Sequence, residues 1–147
     1  MLTIGDLLQV RPSYTLCVGL TALQEFENTQ GCRVIMTRFH DYDAKTCFAC
    51  LGGAAALKVL GVAYNTPVKN YAALADLAKV SQLQLQDYEY TFEYFRNGDI
   101  GNAFNQMQCG YYDGVKFNRP IRGYHQNPDG FFADMYELAD ELEAAGF

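Results

Sequence analysis

A chain of 147 residues, half of them hydrophobic, is the size of one domain and has enough apolar material to bury its own core. No apolar run approaches the roughly 18 residues that a membrane-spanning helix needs, and the start Met1-Leu2-Thr3-Ile4-Gly5-Asp6 lacks the basic and apolar stretches of a signal peptide. The net charge of −6 lies entirely at the C-terminal end: residues 1–128 hold 11 basic and 11 acidic side chains, whereas Asp129, Asp134, Glu137, Asp140, Glu141 and Glu143 have no base among them.

Such a segment repels duplex nucleic acid and anionic lipid, so neither is expected as a partner. Five cysteines, an odd number without a secretory signal, read as free thiols, and the expected location is the cytoplasm.

In chain order, Thr3-Ile4-Gly5-Asp6 predicts a capping box on a short helix that Pro12 ends. Residues 13–27 predict a helix with Leu16, Leu20 and Leu23 on one stripe. Asn28-Thr29-Gln30-Gly31 is a turn, residues 32–40 a strand rich in β-branched and aromatic side chains, and residues 41–45 a second turn. Residues 47–60 contain one charge, Lys58, and read as a buried central helix with Gly61 as its C-cap. Ala49, Gly53 and Ala56 are expected on one side of it, where another backbone approaches.

Residues 70–81 predict a further helix. Residues 83–95 fit a strand or a helix; Asp87 and Asp99 as caps around Asn97-Gly98 favour a helical hairpin. Residues 109–127 read as a loop with strand-like pieces. Asn127-Pro128-Asp129 starts a last helix with Phe131, Met135, Leu138, Leu142 and Ala145 on one face. The fold class is therefore mainly α with a small β element (α+β), a single domain over residues 1–147 around a buried small-residue helix.

Three patches resemble a family of small, uncharacterised phage and prophage proteins. They are Cys47-Phe48-Ala49-Cys50-Leu51-Gly52-Gly53-Ala54, where Gly52 stands for the family's usual alanine, the stretch Phe95 to Phe104, and Tyr124-His125-Gln126-Asn127-Pro128 through the last helix. The resemblance spans about two-thirds of the chain, from position 40 onward; the N-terminal part does not share it. It implies a phage-borne accessory protein acting in the bacterial host cytoplasm, and no particular activity.

The chemistry-bearing residues divide into four groups. Cys47-x-x-Cys50 at a predicted helix start would gain thiolate character there, but no βαβ context supports a redox role. Cys32, His40, Cys47 and Cys50 have zinc-ligand types at an irregular spacing, so no metal is expected and the thiols read as small buried hydrophobes. Gly52-Gly53 lacks the rest of a phosphate-binding loop and reads as a close-packing site. Arg119-Pro120-Ile121-Arg122-Gly123-Tyr124-His125 places two guanidiniums, a ring and an imidazole before a helix N-terminus, a combination suited to a phosphate and a stacked base. Its plainer reading is a set of surface arginines paired with the acidic last helix. Tyr111, Tyr112 and Phe117 offer further rings, and Arg38 with His40 a second cationic pair.

His40 beside Asp41 and Asp43 has the residue types of acid–base catalysis, yet no nucleophile motif accompanies it, and no catalytic residue or cofactor is assigned. The expected ligand-binding residues are Arg119, Arg122, Tyr124, His125, Arg38 and His40. Three function classes follow. The first is a counter-defence protein that sequesters a small anionic, nucleotide-like signal without catalysis. The second blocks a host protein through the acidic helix. The third is an enzyme that processes a nucleotide. The small-residue face and the tyrosines also suggest a symmetric homo-dimer.

Overall fold

Thr3 opens the first helix with a reciprocal cap: its hydroxyl accepts from the Asp6 N–H and its own N–H donates to the Asp6 carboxylate, both at 3.0 Å. The computed structural model describes residues 3–7, 9–94 and 121–147. Helix α1 spans Ile4–Leu7 and α2 spans Pro12–Glu27. Pro12 therefore does not end α1; it is the first residue of α2, where its missing N–H costs nothing.

Leu16, Leu20, Leu23 and Phe26 of α2 are fully buried. They pack between α3 (Leu51–Leu60) and the last helix, α6 (Pro128–Ala144). Helix α6 contributes Phe131, Met135, Leu138 and Leu142, whereas Ala145 lies past its end and is exposed. Burying each large apolar side chain contributes roughly 1.5–3 kcal/mol. Asn127 caps α6 by accepting from the Gly130 N–H at 2.9 Å.

The predicted strand 32–40 is two strands. Strand β1 covers Cys32–Val34, residues 35–39 are irregular, and β2 covers His40–Asp43. The turn predicted at 41–45 shrinks to Ala44-Lys45, both at positive φ (48° and 71°), which joins β2 to β3 (Thr46–Ala49) as a tight hairpin. The sheet order is β1-β3-β2, with β1 parallel and β2 antiparallel to β3. Cys47 therefore lies in β3, and α3 starts only after Cys50. An apolar run of this length does not reveal by periodicity where a buried strand passes into a buried helix.

Residues 51–57 of α3 are buried without exception, and Gly61 closes the helix at φ 72°. Gly53 admits the chain that crosses it: a Cβ there would lie 1.5 Å from the Phe39 carbonyl oxygen. The approaching backbone is thus the 35–39 segment. Because α3 is covered within its own chain, its small residues offer no face to a second copy. Lys58 is exposed and holds the Glu25 carboxylate at 2.7 and 2.9 Å, with the Tyr64 hydroxyl donating to the same group at 2.6 Å.

Helix α4 (Tyr71–Ala78) is capped by Asn70, which accepts from the Ala73 N–H at 2.9 Å. Helix α5 (Gln82–Tyr94) resolves the ambiguity of residues 83–95 in favour of helix. Its cap is Ser81, whose hydroxyl accepts from the Gln84 N–H at 3.1 Å, and not Asp87, which lies inside the helix. The second arm of the predicted hairpin falls outside the described residues, as does most of the 109–127 loop; its described part, 121–127, has no strand. The fold is α+β and mainly helical, and no helix among the described residues is long and apolar enough to cross a membrane.

Candidate functional site

The irregular segment 35–39 ends where Phe39 passes over Gly53, and this contact fixes the start of β2. Phe39 packs against Tyr71 of α4, with ring centroids 5.5 Å apart and planes 31° apart. Behind it, Tyr88 of α5 meets Phe39 edge-on at 6.1 Å and donates its hydroxyl to the Gly52 carbonyl at 3.0 Å. Tyr88 is fully buried, and that burial pushes its phenol well above the ordinary range.

Between β2 and α4 the same residues enclose a cavity of 290 Å³. Phe39, Tyr71 and Leu74 form its apolar part; His40, Lys69, Asn70 and Glu89 form its polar part. The His40 ring is largely buried, which lowers its pKa; Asp41 and a hydrogen bond to the Val68 backbone act in the opposite direction. A backbone contact that favours the imidazolium is one in which a carbonyl accepts a ring N–H. Nε2 is buried and has no hydrogen-bond partner. The neutral ring therefore presents an unsatisfied acceptor beside the cavity. Leaving such a group unpaired costs about 1–3 kcal/mol.

The other described sequence-predicted residues do not line this cavity. Arg38 pairs with Asp41 at 3.1 Å and lies 5.0 Å from the Phe48 ring centroid, on the exposed side of the sheet. Arg122 is held by Asp134: Nε donates at 2.9 Å, Nη2 at 3.0 Å and the backbone N–H at 2.9 Å. The guanidinium crosses Gly130, where a Cβ would come within 2.6 Å of Nε. Tyr124 donates its hydroxyl to the Glu27 carboxylate; burial first, then Glu27, pushes its pKa up. His125 accepts the Met36 N–H on Nε2 at 3.3 Å. Residues 122–125 thus strap α2, α6 and the end of β1 together, with the Arg122 charge paired to Asp134 at the surface. Arg119, Tyr111, Tyr112 and Phe117 lie outside the described residues.

Cys47 and Cys50 are buried, and burial raises the Cys47 thiol, the opposite of activation. Cys32 is pushed up to about 11 by burial and by its strand neighbour Cys47. None of the four described cysteines is in a disulfide, and among the described residues no three His, Cys, Asp or Glu side chains gather as a metal site would require.

Sequence reasoning picked out His40 but missed Phe39, Lys69 and Tyr71. Phe39 and Tyr71 flank predicted element boundaries, where a ring has no periodic partner to mark it. No protein-family model, curated protein or solved structure matches the chain.

Proposed function

We propose that the protein binds a small planar heterocycle with an anionic appendage, of the nucleotide type, in the cavity between β2 and α4, and holds it without chemical change. The observation that carries this reading is the unpartnered Nε2 of His40 beside a cavity walled by aromatic rings. A heterocyclic N–H reaching His40 would recover the missing hydrogen bond, while Phe39 and Tyr71 offer ring faces for stacking. Lys69 forms no ion pair with a described residue and is exposed at the rim, where it suits an anionic group. Among the described lining residues there is no serine, threonine or cysteine to form an activated hydroxyl or thiol, which favours retention of the ligand over its conversion.

With the phage resemblance, this is the profile of a cytoplasmic counter-defence protein that sequesters a nucleotide signal. Calorimetry with nucleosides, nucleoside monophosphates and cyclic nucleotides tests it. His40→Ala is expected to weaken binding about three- to tenfold, the value of one neutral hydrogen bond. Unchanged affinity in both His40→Ala and Tyr71→Ala would overturn this site.

A second reading rests on α6, where Asp129, Glu137, Asp140 and Glu143 are exposed while Asp134 is engaged internally. That acidic face suits a basic host protein. Loss of host-protein capture on charge reversal of Glu137 and Asp140, with no nucleotide bound by the parent, would select it.

A further inference from the structure

A second cavity, of 260 Å³, lies against β1 on the far side of the sheet order from β2. Strand β1 is an edge strand, and its backbone alternates. Gly31 C=O accepts from Cys47 N–H at 2.8 Å and Ile35 N–H donates to Ala49 C=O at 3.0 Å, so odd-numbered residues face β3. Even-numbered residues therefore turn their N–H and C=O outward. Met36 N–H is one such group, and His125 Nε2 takes it. Val34, the outward position before it, lines the cavity and has no hydrogen bond to any described residue.

Two opposite charges border the same space. Glu27 is the last residue of α2, at the carbonyl end of that helix; Pro128 is the first residue of α6, at its amide end. The cavity thus lies between the negative pole of one helix and the positive pole of another. Arg33 lines it and forms no ion pair with Glu27 or any other described residue. Glu27 accepts the Tyr124 hydroxyl on Oε2, which leaves Oε1 for another donor.

We infer that this cavity binds a short zwitterionic peptide, with a dipeptide as the smallest complete ligand. Its ammonium meets Glu27 at the α2 end and its carboxylate meets Arg33. Its single amide turns its C=O to accept from the outward N–H of Val34, one of the two bonds an added strand would make there. The space holds about two residues, which favours free termini over a segment within a long chain. This site shares no lining residue with the cavity of His40, so either reading can fail without the other.

The test uses the whole protein, labelled with nitrogen-15, and alanyl-alanine as the probe, followed by amide chemical shifts and calorimetry. The expected result is a saturable shift at Val34, with affinity lost at least about tenfold when the probe is N-acetylated or C-amidated, as for a charge-assisted hydrogen bond. Glu27→Gln, which retains an acceptor for Tyr124, should abolish discrimination against the acetylated probe. Arg33→Gln should abolish discrimination against the amidated one. Absence of any shift at Val34, or equal binding of the blocked and free dipeptides by the parent, overturns the proposal. That comparison alters only the ligand, so it holds whether or not a variant folds.

Discussion

Segments 38–40 and 122–125 each carry an arginine followed shortly by a histidine, and the fold uses them differently. Both arginines are paired, Arg38 with Asp41 and Arg122 with Asp134. The histidines diverge. His125 satisfies Met36 N–H and belongs to a strap, whereas His40 keeps a buried nitrogen without a partner beside a cavity. Similar residue types thus become structure in one place and a candidate site in the other. What separates them is whether the surrounding backbone supplies a group that needs the imidazole. At β1 an edge N–H does; at β2 the one ring contact, to Val68, leaves the second nitrogen over.

A glycine underlies each segment, and the two glycines give the sharpest contrast. Gly53 faces the Phe39 carbonyl, which is backbone and cannot yield, so Gly53→Ala is expected to cost at least about 3 kcal/mol, the upper end of overpacking effects. A urea melt of the variant measures it, and a midpoint equal to the parent's would mean that Phe39 does not cross Gly53.

Gly130 faces the far end of Arg122 and the Asn127 side chain. Gly130→Ala displaces the surface Arg122–Asp134 pair, and the loss is reduced by the helix propensity that alanine gains over glycine. The pair is discounted further because the Arg122 side chain is 55% exposed. A loss smaller than that of Gly53→Ala is expected in a urea melt, and Asp134→Ala should lower the cost of Gly130→Ala in a double-mutant cycle, leaving the part that comes from the Asn127 cap. Additive costs in that cycle would separate Gly130 from the Arg122 pair.

Between the histidines, His125→Ala should cost about 1 kcal/mol, because Met36 N–H loses its acceptor at a site water reaches only in part. The check is the amide exchange rate of Met36, which should rise in the variant.

The smallest effect is a pH slope, limited by the partial burial of the His40 ring. Burial lowers the His40 pKa below its ordinary 6.5. The unfolded chain therefore takes up this proton first as pH falls, and folding stability drops from about pH 6.5 down to the lowered folded value, below which the loss is complete. Above pH 6.5 the group contributes no dependence. Urea midpoints at pH 7.5 and 5.5 should show a larger acid loss in the parent than in His40→Gln; equal losses would place His40 in solvent. A ligand that donates to Nε2 competes with protonation of the folded protein, so binding should weaken as pH falls to and below the lowered folded value.

Much of the helical framework was legible because it is written in local chemistry. Thr3 with Asp6, Asn127 with Pro128, and Gly61 after the apolar run mark helix ends through groups a few residues apart. The stripe from Phe131 to Leu142 names its buried face by spacing alone. The acidic end and the free thiols follow from composition. The sheet was only half legible. A strand of three or four residues has too little periodicity to show its ends, and Cys47, in a stretch apolar on both sides, gives no sign of whether it begins a helix or ends a hairpin.

The tertiary structure alone decided which polar groups remain free. Arg122 reaches an acid 12 residues away, Tyr124 one that is 97 residues away, and His125 a backbone amide 89 residues away. No local pattern encodes such pairings, because they depend on how α2, α6 and β1 pack. For the same reason the cavity beside His40 takes its walls from β2, the loop before α4, α4 and α5, and becomes a place only when Phe39 crosses Gly53.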